Sequence, residues 1–113
     1  MENILREIRL AVLTGRVAFT LKAREEMGAD NLMDVDVYQS LMNARTVRSK
    51  RSRSPKRVMD REKIHIIVAP SDSGARIYTK GLFRKQQEKA VFYILISSKR
   101  STDTTERRKK KNG

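Results

Sequence analysis

The apolar residues of this 113-residue chain change their spacing once, from the period of a helix to the period of a strand. Ile4, Ile8 and Val12 are one helical turn apart, whereas apolar side chains recur at every second position over residues 64–68. Helices followed by antiparallel strands are typical of an α+β domain, in which the helices pack on one face of a small sheet. We therefore predict a single domain of this class over residues 1–100.

Three helices are predicted in the N-terminal third. The first ends at Gly15, where a left-handed C-terminal cap would stop it. The second starts after Thr20, whose hydroxyl can accept a backbone N–H, and it ends at Gly28. The third begins near Asp34, because a carboxylate there suits the positive end of the helix dipole. We expect all three helices to precede every clear strand.

For the rest of the chain up to residue 100, the sequence pattern predicts strands and turns. The predicted order is a strand within 45–54, an alternating strand at 64–68, a turn at 70–74, a strand at 75–80, a loop or extended arm at 81–89 and a strand at 90–99. The turn has the sequence PSDSG, which is the chemistry that a hairpin needs. The strands on either side of it should therefore pair antiparallel.

Alternation along each strand also predicts which side chains share a face of the sheet. Helix-facing positions are expected at Ile64, Ile66, Val68, Ile77, Thr79, Phe92, Ile94 and Ile96. The opposite parity leaves a set of basic and aromatic side chains on the other face: His65, Arg76, Tyr78, Lys80, Tyr93 and Lys99.

Residues of these types can cleave RNA without a metal. Attack by the ribose 2′-hydroxyl needs a proton acceptor, cations near the phosphate and an acid for the leaving oxygen, all of which His, Tyr, Lys and Arg can supply. The same residues also have ordinary structural interpretations. A lone strand histidine can be structural, tyrosines can cover a sheet or stack on a base, and lysines can protect a sheet edge.

Residues 45–57 carry seven basic side chains and no acidic one, which predicts a partner covered in phosphates. The whole chain has a formal net charge of +13, although residues 1–44 contain more acidic than basic groups. Six cations of the basic segment are predicted to hold the RNA backbone: Arg48, Lys50, Arg51, Arg53, Lys56 and Arg57.

Composition excludes several classes of protein. The chain has no cysteine and one histidine, so the sequence predicts no disulfide framework, no metal centre and no other cofactor. The longest apolar run, 90–96, is far shorter than the roughly 20 residues that cross a bilayer. We expect a cytoplasmic protein without a membrane partner, and a disordered basic tail over residues 101–113.

Several short motifs occur together in an order that is informative. They are GRVAFTLKAREEM (15–27), DV (36–37), NA (43–44), RSRSP (51–55), EKIHII (62–67), IYTKG (77–81) and FYILISSKR (92–100). This series resembles the small bacterial toxins of the MqsR type within the RelE/ParE-like group. The similarity covers about residues 3 to 100.

The resemblance implies a RelE-like fold and an mRNA endoribonuclease encoded beside an antitoxin protein that binds and silences it. Lys99 matches a lysine in the closing strand of such toxins, and His65 occupies an aromatic position in their second long strand. Other members of the group often carry a histidine where this chain has Lys22, so the resemblance implies no chemistry on the second helix. The wider superfamily also includes gyrase poisons that are not nucleases.

Two other interpretations of the residues stay open. In the first, the protein is a non-catalytic module that binds nucleic acid or the ribosome through the basic segment. In the second, its main task is to bind an acidic protein.

Overall fold

The computed structural model of the protein describes residues 2–51, 62–86 and 90–101, with only the backbone given for residues 2 and 86. Its elements are α1 (Glu2–Leu13), β1 (Val17–Phe19), α2 (Leu21–Ala29), α3 (Asp34–Asn43), β2 (Arg48–Arg51), β3 (Lys63–Pro70), β4 (Arg76–Gln86) and β5 (Ala90–Arg100). The predicted basic tail, apart from residue 101, lies outside the described residues.

The helix boundaries follow from local capping chemistry. Gly15 ends the α1 region with a φ of +73°, as predicted. Thr20 caps α2, because its Oγ1 accepts the Ala23 N–H at 3.1 Å. The predicted end of α2 at Gly28 is wrong by one residue, since the helix reaches Ala29 and Asn31 takes the left-handed conformation with a φ of +59°.

A hydrogen bond from the N-cap residue to the Asp36 carboxylate marks the start of α3 at Asp34. The Met33 N–H donates to Asp36 Oδ2 at 2.8 Å, which satisfies one of the unpaired donors of the first turn. Val37 and Leu41 lie one turn apart on the buried side of α3. The predicted third helix is confirmed.

The five strands form one sheet in the order β1-β5-β4-β3-β2. All neighbouring strands are antiparallel except β1, which pairs parallel with β5. The expectation that all helices precede every clear strand is wrong, because the three-residue strand β1 lies between α1 and α2. The predicted loop at 81–89 is also wrong over its first part, since β4 continues to Gln86 and pairs with β5.

The hairpin between β3 and β4 is confirmed. The Ser71 N–H donates to the Ala75 carbonyl at 2.8 Å, and the Gly74 N–H donates to the Ser71 carbonyl at 3.0 Å. Gly74 has a φ of +96°, a conformation that favours glycine. The turn therefore supplies the register that aligns β4 with β3.

The core lies between the helices and one face of the sheet. Buried side chains come from the helices and from three central strands: Leu5, Ile8, Ala11, Met27, Val37, Leu41, Ile67, Ala69, Ile77, Tyr93 and Leu95. The α+β class with helices on one sheet face is thus confirmed. Among the described residues, no helix is both long enough and apolar enough to cross a membrane. We call the sheet face opposite this core the open face.

Candidate nucleic-acid interface

Strand β3 presents the opposite parity to the predicted one. Ile67 and Ala69 lie in the core, so His65 faces the helices as well, and Ile66 and Val68 lie on the open face. Apolar side chains lie on both faces of β3. The larger number of them at positions 64, 66 and 68 led to the prediction that this face meets the helices. The prediction that Ile64, Ile66 and Val68 face the helices is therefore wrong.

His65 is consequently buried, with 4% of its surface exposed. Its Nδ1 lies 2.7 Å from Ser49 Oγ, and its ring is 5.8 Å from the Phe83 ring and 6.4 Å from the Tyr93 ring. Burial, reinforced by the nearby charge of Lys63, lowers the pKa of His65 below its usual value. The imidazole is thus neutral at pH 7, and its predicted position on the working face is wrong.

Tyr93 is also on the helix-facing side, where it is fully buried beside Leu95. Among the described residues, its Oη has no hydrogen-bond partner. Burial raises the pKa of the phenol well above its ordinary value. The predicted position of Tyr93 on the face directed away from the helices is therefore wrong, and Phe92 and Ile94 occupy the open face instead of the core.

A β-bulge in β5 then reverses the alternation. Lys80 is opposite Ser97, whereas the next residue of β4, Gly81, is opposite Leu95, so Ile96 is the extra residue. Beyond the bulge, Lys99 is opposite Tyr78 on the open face. The predicted outward position of Lys99 is correct, although the uninterrupted alternation that led to it does not exist.

Four of the six predicted catalytic residues share the open face. Lys99 Nζ lies 5.6 Å from the centroid of the Tyr78 ring, within the range of a cation–π contact. Arg76 and Lys80 flank Tyr78 at two-residue spacing on the same strand, so their side chains point to the same side. We call these four residues, Arg76, Tyr78, Lys80 and Lys99, the open-face cluster.

The basic strand β2 extends this surface. Arg48 is opposite Ile66, which is itself opposite Lys80, so Arg48 and Lys80 stand on either side of one isoleucine. Lys50 has the same parity as Arg48, whereas Arg51 points to the other face, and all three side chains are exposed. The predicted contacts Arg53, Lys56 and Arg57 lie outside the described residues.

Sequence reasoning missed a pair on the open face. Arg84 Nε donates to Glu62 Oε2 at 2.9 Å and Arg84 Nη2 donates to Glu62 Oε1 at 3.2 Å, which makes a bidentate pair. Arg84 fell in the predicted loop, so no face was assigned to it. Leu82 and Phe83 are both apolar whereas Arg84 and Lys85 are both basic, so the sequence does not alternate here and gives no local signal that the strand continues.

The open-face cluster combines positive charge with an aromatic surface. Ammonium and guanidinium groups can bind phosphate oxygens, and the tyrosine ring can stack on a base. Within the described ranges, no group of three or more metal-ligating side chains occurs. The arrangement can thus bind a polyanion and stabilise charge on a phosphate.

Comparison with protein-family models, with curated proteins and with solved structures returned no significant match.

Proposed function

We propose that the open face binds RNA and that its cluster cleaves the RNA chain without a metal, as the mRNA endoribonuclease toxin of a type II toxin–antitoxin system. The observation that carries the proposal is the direct pairing of Tyr78 with Lys99, with the ammonium 5.6 Å from the ring centroid. Lys80 and Arg76 add positive charge on both sides of that pair. A phosphate between these groups would meet cations from two strands.

The proposed reaction is an internal transesterification. The ribose 2′-oxygen attacks phosphorus and forms a cyclic phosphate, the bond from phosphorus to O5′ breaks, and the 2′-hydroxyl proton leaves to water. Lys80 and Lys99 stabilise the negative charge that grows on the phosphate, and the Tyr78 hydroxyl donates a proton to O5′. Such proton donation typically contributes about 10²–10⁴-fold, and each oriented charge contributes a few kcal/mol.

The remaining parts of the proposal rest on the resemblance of the motifs. An mRNA endoribonuclease of this type acts in the cytoplasm and is silenced by a cognate antitoxin protein. The exposed cations Arg48 and Lys50, on the same face as Lys80, support a path for the RNA backbone across β3 towards β2.

Binding without cleavage is the second candidate function. It is favoured by the position of His65, the only histidine of the chain, which is buried on the helix-facing side of the sheet. Histidine is the side chain whose ordinary pKa lies closest to neutrality, and the burial of His65 means that it does not lie on the open face. In this alternative, the same cations hold nucleic acid or a ribosomal surface, and Tyr78 only stacks.

The test is cleavage of a long mRNA by the purified protein in EDTA, with the new ends mapped. Lys80→Ala and Lys99→Ala should each slow cleavage by about ten-fold or more, because each removes a charge from the phosphate. Lys85→Ala is the matched control, since Lys85 is an exposed lysine of β4 with the opposite parity. Its rate should stay within about two-fold of the unmodified protein.

The outcome separates the two candidates. Intact RNA combined with tight, salt-sensitive binding would overturn the nuclease proposal in favour of binding alone. Arg48→Ala with Lys50→Ala should flatten the dependence of log K on log salt concentration by about 1.4 for two contacts to single-stranded RNA. Growth arrest on expression, relieved by Lys99→Ala, would support the assignment as a toxin.

A further inference from the structure

The edge of β5 is closed by two carboxylates, one within α2 and one on the residue that directly follows it. Strand β1 pairs with β5 only as far as Leu95, and the edge beyond that point runs alongside α2. The Ser98 N–H donates to Glu26 Oε1 at 3.0 Å, and the Arg100 N–H donates to Asp30 Oδ2 at 2.8 Å. Side chains one helical turn apart thus accept the N–H groups that a further strand would otherwise bind.

Glu26 holds the segment directly after the bulge by a second bond. The Ser97 hydroxyl donates to Glu26 Oε1 at 2.7 Å, so one carboxylate oxygen binds two consecutive residues. On the other side of the bulge, the Thr20 N–H donates to the Leu95 carbonyl at 3.0 Å, and Thr20 Oγ1 donates to the Ile96 carbonyl at 3.2 Å. Thr20, the N-cap of α2, and Glu26, within α2, thus contact β5 on the two sides of the bulge, and we call these two residues the bracket.

The bulge decides where Lys99 points. A regular strand continuing from Leu95 would turn the side chains of Ser97 and Lys99 towards the helices, because alternation has a period of two. The bulge at Ile96 moves Lys99 to the open face instead. Contacts that fix residues 97 and 98 in the bulged register are thus the contacts that fix the direction of Lys99.

We infer that Glu26 is a positioning residue for Lys99: it holds β5 in the bulged register and thereby keeps the lysine ammonium over Tyr78 in the open-face cluster. The inference rests on the proposed function for its effect on RNA, and on geometry alone for its effect on Lys99. Glu26 lies on α2 and belongs to the bracket, not to the open face, so its action on RNA passes through Lys99.

The ionised form of Glu26 suits this role. Burial alone would raise the pKa of Glu26, but hydrogen bonds from Ser97 and Ser98, together with Lys22, lower it overall. Lys22 Nζ lies 3.2 Å from Glu26 Oε2, which leaves Oε1 to accept from β5. The carboxylate is therefore charged at neutral pH and binds helix and strand through different oxygens.

The test compares Glu26→Ala with Glu26→Gln, with Glu25→Gln as the control for lost charge at an exposed neighbouring position. Glutamine keeps an oxygen that can accept from Ser97 and Ser98, whereas alanine does not. Glu26→Ala should slow RNA cleavage by about ten-fold. Glu26→Gln should recover most of that loss, and Glu25→Gln should stay within about two-fold.

A mutant cycle separates positioning from general weakening of the fold. If Glu26 acts through Lys99, Glu26→Ala should have almost no further effect on cleavage in the Lys99→Ala background. Equal losses in both backgrounds would overturn the inference.

Nuclear magnetic resonance gives a readout that needs no RNA. The ε-methylene protons of Lys99 should be shifted upfield by the Tyr78 ring, and Glu26→Ala should reduce this shift while Glu26→Gln retains it. An unchanged shift in Glu26→Ala would overturn the inference even if the protein cleaves RNA. A reduced shift in a protein that cuts no RNA would support the positioning role and contradict only the nuclease proposal.

Discussion

Tyr93→Phe should stabilise the protein, because it removes a buried hydroxyl that is unpaired among the described residues. Leaving such a group without a partner costs about 1–3 kcal/mol of desolvation. The void left by one oxygen atom costs a few tenths of a kcal/mol, at about 24 cal/mol per Å³. We therefore expect the free energy of unfolding to rise by about 0.5–2 kcal/mol.

Denaturant titration of both proteins measures this change, and the slope of the transition should be the same for each. The melting temperature should rise by about 4 °C for each kcal/mol gained. Tyr78→Phe is the matched control, because Tyr78 is only half-buried on the open face. Loss of the Tyr78 hydroxyl should change the free energy of unfolding by less than about 0.5 kcal/mol. Destabilisation of Tyr93→Phe by more than about 1 kcal/mol would show that the hydroxyl has a partner and refute this reasoning.

The same two variants separate a buried tyrosine from a functional one. RNA cleavage by Tyr93→Phe should stay within about two-fold of the unmodified protein, because the phenol is sealed on the helix-facing side. Cleavage by Tyr78→Phe should fall by about 10²-fold or more under the proposed mechanism. Loss of cleavage in Tyr93→Phe with unchanged stability would contradict the assignment of the site to the open face.

Two further predictions concern the helix-facing side of the sheet. Gly81→Ala should lower the free energy of unfolding by about 1–3 kcal/mol in denaturant titration, because its new Cβ would lie 2.7 Å from Tyr93 Cζ and 3.0 Å from the Ile94 carbonyl oxygen; equal stability would mean that the buried ring can move aside. Because folding lowers the pKa of His65, the unfolded chain binds its proton at a higher pH than the folded protein does. The free energy of unfolding should therefore fall as pH decreases below about 6.5 and level off below the pKa of the folded protein. Urea titrations across that range should show this dependence in the unmodified protein and not in His65→Gln. An identical dependence in His65→Gln would mean that other groups cause it.

The sequence by itself was sufficient for the elements whose boundaries depend on nearby residues. The cap at Thr20, the left-handed Gly15 and the turn containing Gly74 are local features, and each is found where it was predicted. The order of helical and strand periods was sufficient for the α+β class. The sequence predicts that Tyr78 and Lys99 share a face of the sheet, but not that they lie directly opposite each other. Alternation indicates which face a side chain is on, whereas the register decides which residues of two strands are paired.

Tertiary structure alone decided which face of β3, and of β5 before its bulge, meets the helices. Apolar residues occupy both parities of β3, and the open face buries Ile66 and Leu82 almost completely, so apolar density could not identify the core side. The segment around the bulge at Ile96 is hydrogen-bonded to Thr20 and Glu26, which lie some seventy residues earlier in the chain. Alternation is a relative signal: it relates neighbours within one strand, whereas the absolute face is set by non-local packing that buries His65 and Tyr93 and leaves Lys99 outside.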